Sequence, residues 1–114
     1  VIATHPDSDH IGGLLSVLKS IPADTLLDSG TISTTKTYEK LLTLVGKKHI
    51  KYKILKHQAI HLEPDISLQV LSPISKSFIN DSNNNCIVMK LIYGNISFLF
   101  TCDIIKAAEL LYVK

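Results

Sequence analysis

The first ten residues, Val1-Ile-Ala-Thr-His-Pro-Asp-Ser-Asp-His10, constrain this chain more than any other segment. A short apolar strand runs directly into His5, Asp7, Asp9 and His10. A hydrophobic core would bury such polar side chains only at a high free-energy cost, whereas imidazole and carboxylate groups are good ligands for divalent cations. The segment therefore predicts a metal site at the mouth of a strand.

The spacing of these four side chains favours two metal ions. Residues alternate sides in an extended chain, so His5, Asp7 and Asp9 would share a side while His10 turns back as a helix begins. A two-metal centre needs several such ligands and an open position for water. The alternative is a polar turn in which the Asp residues only cap the following helix. Histidines at both ends favour the metal interpretation.

The segment Thr4-His-Pro-Asp-Ser-Asp-His-Ile-Gly-Gly13 resembles the His-x-His-x-Asp-His signature of the metallo-β-lactamase superfamily. In that superfamily the first pair of ligands serves one metal and the Asp-His pair serves the other. Asp7 stands where a histidine is more usual. This variant is similar to the ComEC-type branch, which comprises the metallohydrolase domains of DNA-uptake proteins and their free-standing relatives.

Further matches extend the resemblance over nearly the whole chain: Leu27-Asp-Ser-Gly30, Thr34-Thr-Lys-Thr-Tyr38, Ser82-Asn-Asn-Asn-Cys86-Ile-Val and Tyr93-Gly-Asn-Ile-Ser-Phe-Leu-Phe-Thr-Cys-Asp103. The resemblance implies an α/β fold, here a partial four-layer αββα metallo-β-lactamase sandwich.

Length and composition fit one globular domain over residues 1–114, with 46% hydrophobic residues, a net charge of +2 and no sign of disorder. No stretch approaches the roughly 18 apolar residues of a membrane span, and no signal-peptide pattern begins at Val1. Because the chain starts without methionine, on a strand that leads into the site, we expect a fragment that lacks N-terminal strands and a C-terminal histidine-bearing segment. The resemblance suggests the bacterial cell envelope or its extracellular side, with the cytoplasm left open.

Hydrophobic periodicity predicts alternating strands and helices in the first half. Ile11, Leu14, Leu15, Leu18 and Ile21 repeat at helical spacing until Pro22 stops the run. A second helix carries Tyr38, Leu41, Leu42 and Val45 on one face and ends near Gly46. The predicted strands are residues 1–4, 25–28 and 51–55.

The second half predicts two hairpins. Residues 59–62 and 66–71 form the first, a polar loop follows from residue 72 to 85, and Gly94-Asn95 marks the turn of the second. If Tyr93 pairs with Ile96, one face of the last hairpin is entirely apolar. The opposite face carries Val88, Ile92 and Leu99, so we expect this hairpin to be covered on both sides.

Asp103 follows the last predicted strand. In relatives the matching segment reads Thr-Gly-Asp and its Asp bridges the two metals, so the resemblance implies a bridging role for Asp103, with Cys102 in place of the glycine. The alternative is an Asp that caps a helix over residues 104–112. The same register places Cys86 and Cys102 on opposite faces, which argues against a disulfide. Cys102 is then predicted to be a small buried apolar residue. Cys86 is predicted to be either structural or close enough to bind a metal.

The sequence does not contain two of the ligands that the resemblance implies. The place of the third histidine is taken by Asn83, Asn84 and Asn85, and asparagine suits Mn²⁺ better than zinc. The final histidine would lie beyond Lys114. The remaining histidines, His49, His57 and His61, are interpreted as solvated.

A basic run comprises Lys47, Lys48, His49, Lys51, Lys53, Lys56 and His57. Such a run could bind a phosphate backbone, which would make DNA a partner. Lysines also favour helix C-termini and edge strands for reasons unrelated to ligands.

Together these features predict an enzyme, a metal-dependent hydrolase with two divalent ions, Zn or Mn, held by His5, Asp7, Asp9, His10 and Asp103. Asp9 is the predicted catalytic residue, which binds a metal and orients the nucleophile. A pair of ions lowers the pKa of water towards neutrality. The helix predicted to begin near Ile11 would direct its N-terminus and the backbone of Gly12-Gly13 at the site, which favours a phosphate. The ComEC-like resemblance implies a nuclease in competence and DNA uptake. The alternatives are a hydrolase of another ester or thioester and a non-catalytic metal-binding or interaction domain.

Overall fold

The computed structural model describes residues 1–71 and 85–110, and the chain divides into two compact units, Val1–Ile54 and Leu55–Lys114. The first unit contains a parallel three-stranded sheet with two helices. The second contains an antiparallel four-stranded sheet and a short helix. The predicted α/β class is confirmed, and the fold is consistent with part of the sandwich that the resemblance implies.

The first unit alternates strands and helices, as expected for parallel strands joined by crossovers. Its elements are β1 Ile2–Ala3, α1 Ser8–Ser20, β2 Thr25–Asp28, α2 Lys36–Lys47 and β3 Lys51–Ile54. The strand order is β1-β2-β3, and Ala3 pairs with Asp28 at the carboxyl ends of the first two strands. The loops that follow β1 and β2 therefore leave the sheet side by side.

The core of the first unit lies between the helices and this sheet. Leu18 of α1, Leu26 of β2 and Leu41 of α2 are each 0% exposed. The apolar stripes that the sequence predicted for both helices supply most of the other core residues, namely Ile11, Tyr38 and Val45, and partly buried Leu14, Leu15 and Leu44 pack against them. Two predicted members of these stripes are exposed, Ile21 at 58% and Leu42 at 38%, so the prediction was wrong for them. Burial of these stripes holds both helices on the sheet.

Local capping fixes where the helices stop and start. The Thr35 hydroxyl accepts the backbone N–H of Tyr38 at 3.3 Å, which caps the start of α2. At the end of α1 the backbone N–H of Ile21 bonds to the Val17 carbonyl at 2.8 Å, and the helix ends before Pro22 as predicted.

The second unit is an antiparallel sheet in the order β4-β5-β6-β7. Its elements are β4 Ala59–Glu63, β5 Ile66–Val70, β6 Met89–Tyr93, β7 Ile96–Phe100 and α3 Lys106–Glu109. Tyr93 pairs with Ile96, so the register predicted from Gly94-Asn95 is confirmed. The hairpin of β4 and β5 is also confirmed.

The prediction that the last hairpin is covered on both sides is wrong for the described part of the chain. All five residues of β7 are exposed, with Phe98 at 54% and Leu99 at 57%. Apolar residues on both faces of a strand do not by themselves supply a covering layer. β7 is also an edge strand, with no further strand beside it among the described residues. The predicted polar loop and the end of the last predicted helix fall largely on residues 72–84 and 111–114, outside the described ranges.

No helix within residues 1–71 and 85–110 has the length and apolar character that a membrane span requires.

Neighbouring leucines of α2 provide a matched test of the core. Leu41 is 0% exposed and Leu42 is 38% exposed. We expect Leu41→Ala to lower the free energy of unfolding by about 2–5 kcal/mol, because it leaves a cavity in the core. Leu42→Ala should lower it by under about 1 kcal/mol. Urea denaturation followed by circular dichroism would measure both, and equal losses would contradict this core.

Candidate metal centre

Four of the predicted ligands lie in the loop between β1 and α1 and in the first turn of α1. The strand ends at Ala3, Asp7 occupies the N-cap position, and Asp9 and His10 already lie in the first turn of α1. The expectation that His5, Asp7 and Asp9 share one side of an extended segment is therefore wrong. The helix starts at Ser8 because the extended backbone of Asp7, at φ −69° and ψ 139°, can cap it. Helix formation, and not strand alternation, turns Asp9 and His10 back towards the loop.

The first pair of ligands is His5 and Asp7. Nε2 of His5 lies 3.7 Å from Oδ2 of Asp7, and the His5 side chain is fully buried while that of Asp7 is 41% exposed. Two ligands bound to one tetrahedral ion at about 2.1 Å lie about 3.4 Å apart. The two atoms are therefore spaced to share one divalent cation after a small adjustment.

The second pair is Asp9 and His10. Oδ2 of Asp9 lies 3.7 Å from Nε2 of His10, and the Asp9 side chain is 82% exposed. The imidazole rings of His5 and His10 are adjacent, with centroids 4.1 Å apart. The two imidazole–carboxylate pairs are therefore neighbours, as the ligands of a two-metal site would be. The donor set of two imidazoles and two carboxylates suits divalent cations such as zinc.

Asp7 does not cap α1 with its side chain. The carboxylate makes no capping hydrogen bond, and the helix is started by the Asp7 carbonyl, which accepts the N–H groups of His10 and Ile11 at 3.0 Å each. The carboxylate instead lies beside the His5 ring. For Asp7 the geometry favours metal binding over the capping alternative.

Thr4 orients the first imidazole. Its hydroxyl lies 3.2 Å from Nδ1 of His5, within hydrogen-bonding distance. Histidines that bind metals generally use the second ring nitrogen for such a bond, which fixes the ring and its tautomer. Nε2 is then the nitrogen on the Asp7 side.

Asp28 is a polar residue that sequence analysis did not single out as functional. It ends β2 beside Ala3 and is 2% exposed. Burial raises the pKa of its carboxyl group, while hydrogen bonds from the Gly30 N–H and the Tyr52 hydroxyl act in the opposite direction. The available signal was a carboxylate at the end of the apolar strand Thr25-Leu-Leu-Asp28.

Asp103 lies in the second unit, after β7, and its side chain is exposed. The short helix α3 begins only at Lys106, so Asp103 does not hold the N-cap position that the alternative interpretation required. Its bridging role stays a prediction.

The two cysteines are closer than predicted. Their Sγ atoms lie within 4.8 Å of one another, and both residues are free thiols. A hydrogen bond to Cys102 and burial raise the pKa of Cys86, which favours the protonated thiol. Opposite faces were expected, but both residues lie beyond the paired residues of β6 and β7, and Cys102 has a φ of 55°, so strand alternation does not apply. Cys102 is also only half-buried, contrary to the expected buried position.

The remaining candidate ligands divide between described and undescribed residues. Asn83 and Asn84 lie outside the described ranges, whereas Asn85 is half-buried in a turn. His49, His57 and His61 are all exposed, which confirms their interpretation as solvated side chains.

The Thr4 contact predicts a measurable effect on metal affinity. Thr4→Val keeps the shape of the side chain and removes the hydroxyl, so we expect zinc affinity to fall about 10–100-fold. Thr4→Ser keeps the hydroxyl and should stay near the wild-type affinity. Competition titration against a coloured chelator would measure both, and unchanged zinc affinity in Thr4→Val would show that the contact does not orient a ligand.

Comparison with known proteins gives one match. The family profile described as the metallo-beta-lactamase superfamily matches residues 1–114, which is the whole sequence. None of the curated proteins and none of the solved structures matches the chain.

Proposed function

This chain belongs to the metallo-beta-lactamase superfamily, and we propose that it acts as a metal-dependent phosphodiesterase on DNA, in a role similar to that of the ComEC-type branch. The superfamily consists in general of metal-dependent hydrolases that bind divalent metals, often zinc. The substrate and the branch are the parts that we propose. Asp7 in place of the more usual histidine supports the branch.

The observation that carries the proposal is the pairing of imidazole with carboxylate in one loop, His5 with Asp7 and Asp9 with His10, each at 3.7 Å. We propose that each pair would hold one ion, Zn or Mn, and that Asp103 would be a shared ligand, as the family resemblance implies. When bound, two such ions would activate water and polarise the scissile ester.

Asp9 is the proposed catalytic residue. Its carboxylate is the most exposed of the four ligand side chains, so it is open to substrate and solvent. A carboxylate there can bind an ion with one oxygen and accept a hydrogen bond from the attacking water with the other, which orients that water.

A phosphate ester suits this site better than a neutral ester. The four ligands lie at or just before the N-terminus of α1, whose dipole carries partial positive charge at that end. Anionic oxygens are stabilised there, and phosphate groups commonly bind at helix N-termini.

Exposed basic residues of the first unit support a nucleic-acid substrate. Every residue of β3 is exposed, including Lys51 and Lys53, and Lys47 at the end of α2 is exposed as well. Lys48 differs, because its Nζ donates to the Lys19 carbonyl at 2.8 Å. A groove of about 440 Å³ between α1 and α2 adds further lysines, with its lining comprising Leu15, Lys19, Lys36, Glu39, Lys40, Thr43, Leu44 and Lys47. Lysines at such positions can contact a phosphate backbone.

Substitution of Asp9 tests the mechanism. We expect Asp9→Ala in the protein that carries this chain to abolish cleavage of fluorescently labelled DNA with added Mn²⁺ or Zn²⁺, because the variant loses an ion ligand and the group that orients water. Asp24→Ala is the matched control, since Asp24 is exposed and precedes β2 at the opposite end of the strand. Unchanged cleavage by Asp9→Ala would refute the mechanism, and a panel of esters and thioesters would reveal another hydrolase activity.

A non-catalytic metal-binding domain is the second candidate. It is favoured by asparagine at the place of the third histidine and by Cys102, whose φ of 55° is a conformation that glycine adopts more readily. Metal analysis after loading and desalting discriminates the two. A catalytic centre should retain close to two equivalents per chain, whereas retention below about 0.2 equivalents would favour the non-catalytic domain.

A further inference from the structure

We propose that the segment of residues 29–35, named here the hydroxyl loop, recognises the substrate beside the segment of residues 4–10, named here the metal loop. We further propose that Asp28 holds the hydroxyl loop in position. The substrate class is a nucleotide phosphodiester, in which Thr31 contacts a phosphoryl oxygen and Ile32 contacts the base. This inference rests on the proposed function and adds a recognition element to it.

The hydroxyl loop lies beside the metal loop because of strand register. Ala3 of β1 pairs with Asp28 of β2 in parallel, so Thr4 and Ser29 are the next residues of adjacent chains. Adjacent strands are about 4.8 Å apart. In open parallel sheets, ligands bind at the carboxyl ends of the strands, where these two loops meet.

Asp28 ties this loop to three elements of the first unit. Its Oδ1 accepts the Gly30 N–H at 2.6 Å, and the carboxylate also accepts the Tyr52 hydroxyl of β3. The Tyr52 hydroxyl in turn lies 3.5 Å from the hydroxyl of Tyr38 on α2. One buried carboxylate thus joins the end of β2, the edge strand and the helix that follows the loop.

The turn after Asp28 requires glycine at position 30. Its φ of +81° is in the left-handed region, and a Cβ added there would lie 2.9 Å from Cγ2 of Ile54. Both the conformation and the space therefore require glycine. The turn at the start of the hydroxyl loop therefore depends on glycine at this position.

The surface of the loop combines hydroxyl groups with one apolar side chain. Five of its seven residues carry hydroxyls: Ser29, Thr31, Ser33, Thr34 and Thr35. Ser29, Ser33 and Thr35 use theirs in local hydrogen bonds. Among the described residues, the Thr31 hydroxyl has no partner in the protein and so can donate to an anionic oxygen.

Ile32 is 87% exposed, the highest value among the large exposed hydrophobic residues. Single exposed apolar residues are common on protein surfaces. Ile32, however, stands on a loop that is anchored beside the metal ligands, and a nucleobase is the part of a nucleotide that has an apolar face. Position and chemistry together assign Ile32 to contact with the base.

The burial of the Asp28 carboxylate supports a functional role for this residue. Because its pKa is raised in the folded state, its contribution to stability is present below the pKa of the unfolded chain and is lost as pH rises through the folded pKa. Asp28 therefore lowers stability at neutral pH relative to acid pH. A buried carboxylate that carries such a cost is typical of functional sites.

Substitutions of the half-buried Thr31 and the exposed Ile32 test recognition directly, with thymidine 5′-(p-nitrophenyl phosphate) and methyl p-nitrophenyl phosphate as substrates. Thr31→Val should raise KM for both about tenfold, because it removes a hydrogen bond to a charged oxygen. Ile32→Ser should raise KM about fivefold for the thymidine ester and leave the methyl ester unchanged, since only the former has a base. We expect kcat within about twofold of wild type throughout. Ser16→Ala, which removes an exposed hydroxyl on α1 away from the groove, is the control.

Two substitutions of Asp28 test its role as a positioning residue. Asp28→Ala removes the acceptor for the Gly30 N–H, so it should raise KM and accelerate hydrogen exchange at the Gly30 amide. Asp28→Asn keeps an oxygen acceptor and should restore both towards wild type. Zinc content should be the same in both variants. Rescue by Asn together with unchanged zinc content separates positioning of the loop from damage to the metal loop.

The outcomes distinguish this inference from the proposed function. If the wild type hydrolyses the esters and both Thr31→Val and Ile32→Ser leave KM unchanged, the hydroxyl loop does not recognise substrate. If the wild type hydrolyses neither ester, the proposed function fails, and NMR titration of the zinc-loaded protein with thymidine 5′-monophosphate decides the inference. Shifts at the Thr31 and Ile32 amides would support it, and their absence would overturn it.

Discussion

The parallel pairing of β1 with β2 is the constraint on which the candidate site depends. Ile2 lies opposite Leu27 and Ala3 opposite Asp28, and the ladder is only two residues long on the β1 side. Because both strands end together, the loop with His5 and Asp7 leaves the sheet beside the turn at Ser29 and Gly30. Burial of the apolar stripes of α1 and α2 stabilises this arrangement, and the N-terminus of α1 completes the metal loop.

The segment before α1 does not use its carboxylate to stabilise the helix. A fully buried His5 lies next to a half-exposed carboxylate, and the N-cap Asp7 does not use its side chain to cap the helix. Capping by that side chain would stabilise a helix by about 1 kcal/mol. Asp28 likewise keeps a buried carboxyl group whose pKa is raised. Residues that do not maximise stability, placed together at one edge of a sheet, are typical of functional sites.

Much of the fold follows from the sequence because the relevant signals are local. Helical spacing predicted a stripe of Tyr38, Leu41, Leu42 and Val45, of which all but Leu42 are buried. Gly94-Asn95 predicted the register of Tyr93 with Ile96. Predictions failed where the backbone departs from regular geometry. The helix α1 starts before its first apolar residue, and the positive φ of Cys102 brings its thiol to Cys86 against strand alternation. The edge position of β7 depends on which strands pair, and periodicity does not encode that.

The site itself was predicted in part. The density of histidine and aspartate in one loop identified His5, Asp7, Asp9 and His10, and the structure brings them together as two adjacent pairs. Asp28 was not identified as functional because its importance depends on burial and on its register with Ala3, which are tertiary properties. Asp103 is supported by the resemblance of its segment to that of relatives, and its place in a metal site stays a prediction.

The central claim is that this loop binds two divalent metals, and anomalous diffraction from crystals of the zinc-loaded protein tests it most directly. Our account predicts two peaks about 3.5–4 Å apart, one within bonding distance of Nε2 of His5 and a carboxylate oxygen of Asp7, the other of Asp9 and His10. Zinc peaks only at exposed histidines such as His57 and His61, with none at the loop after β1, would contradict it.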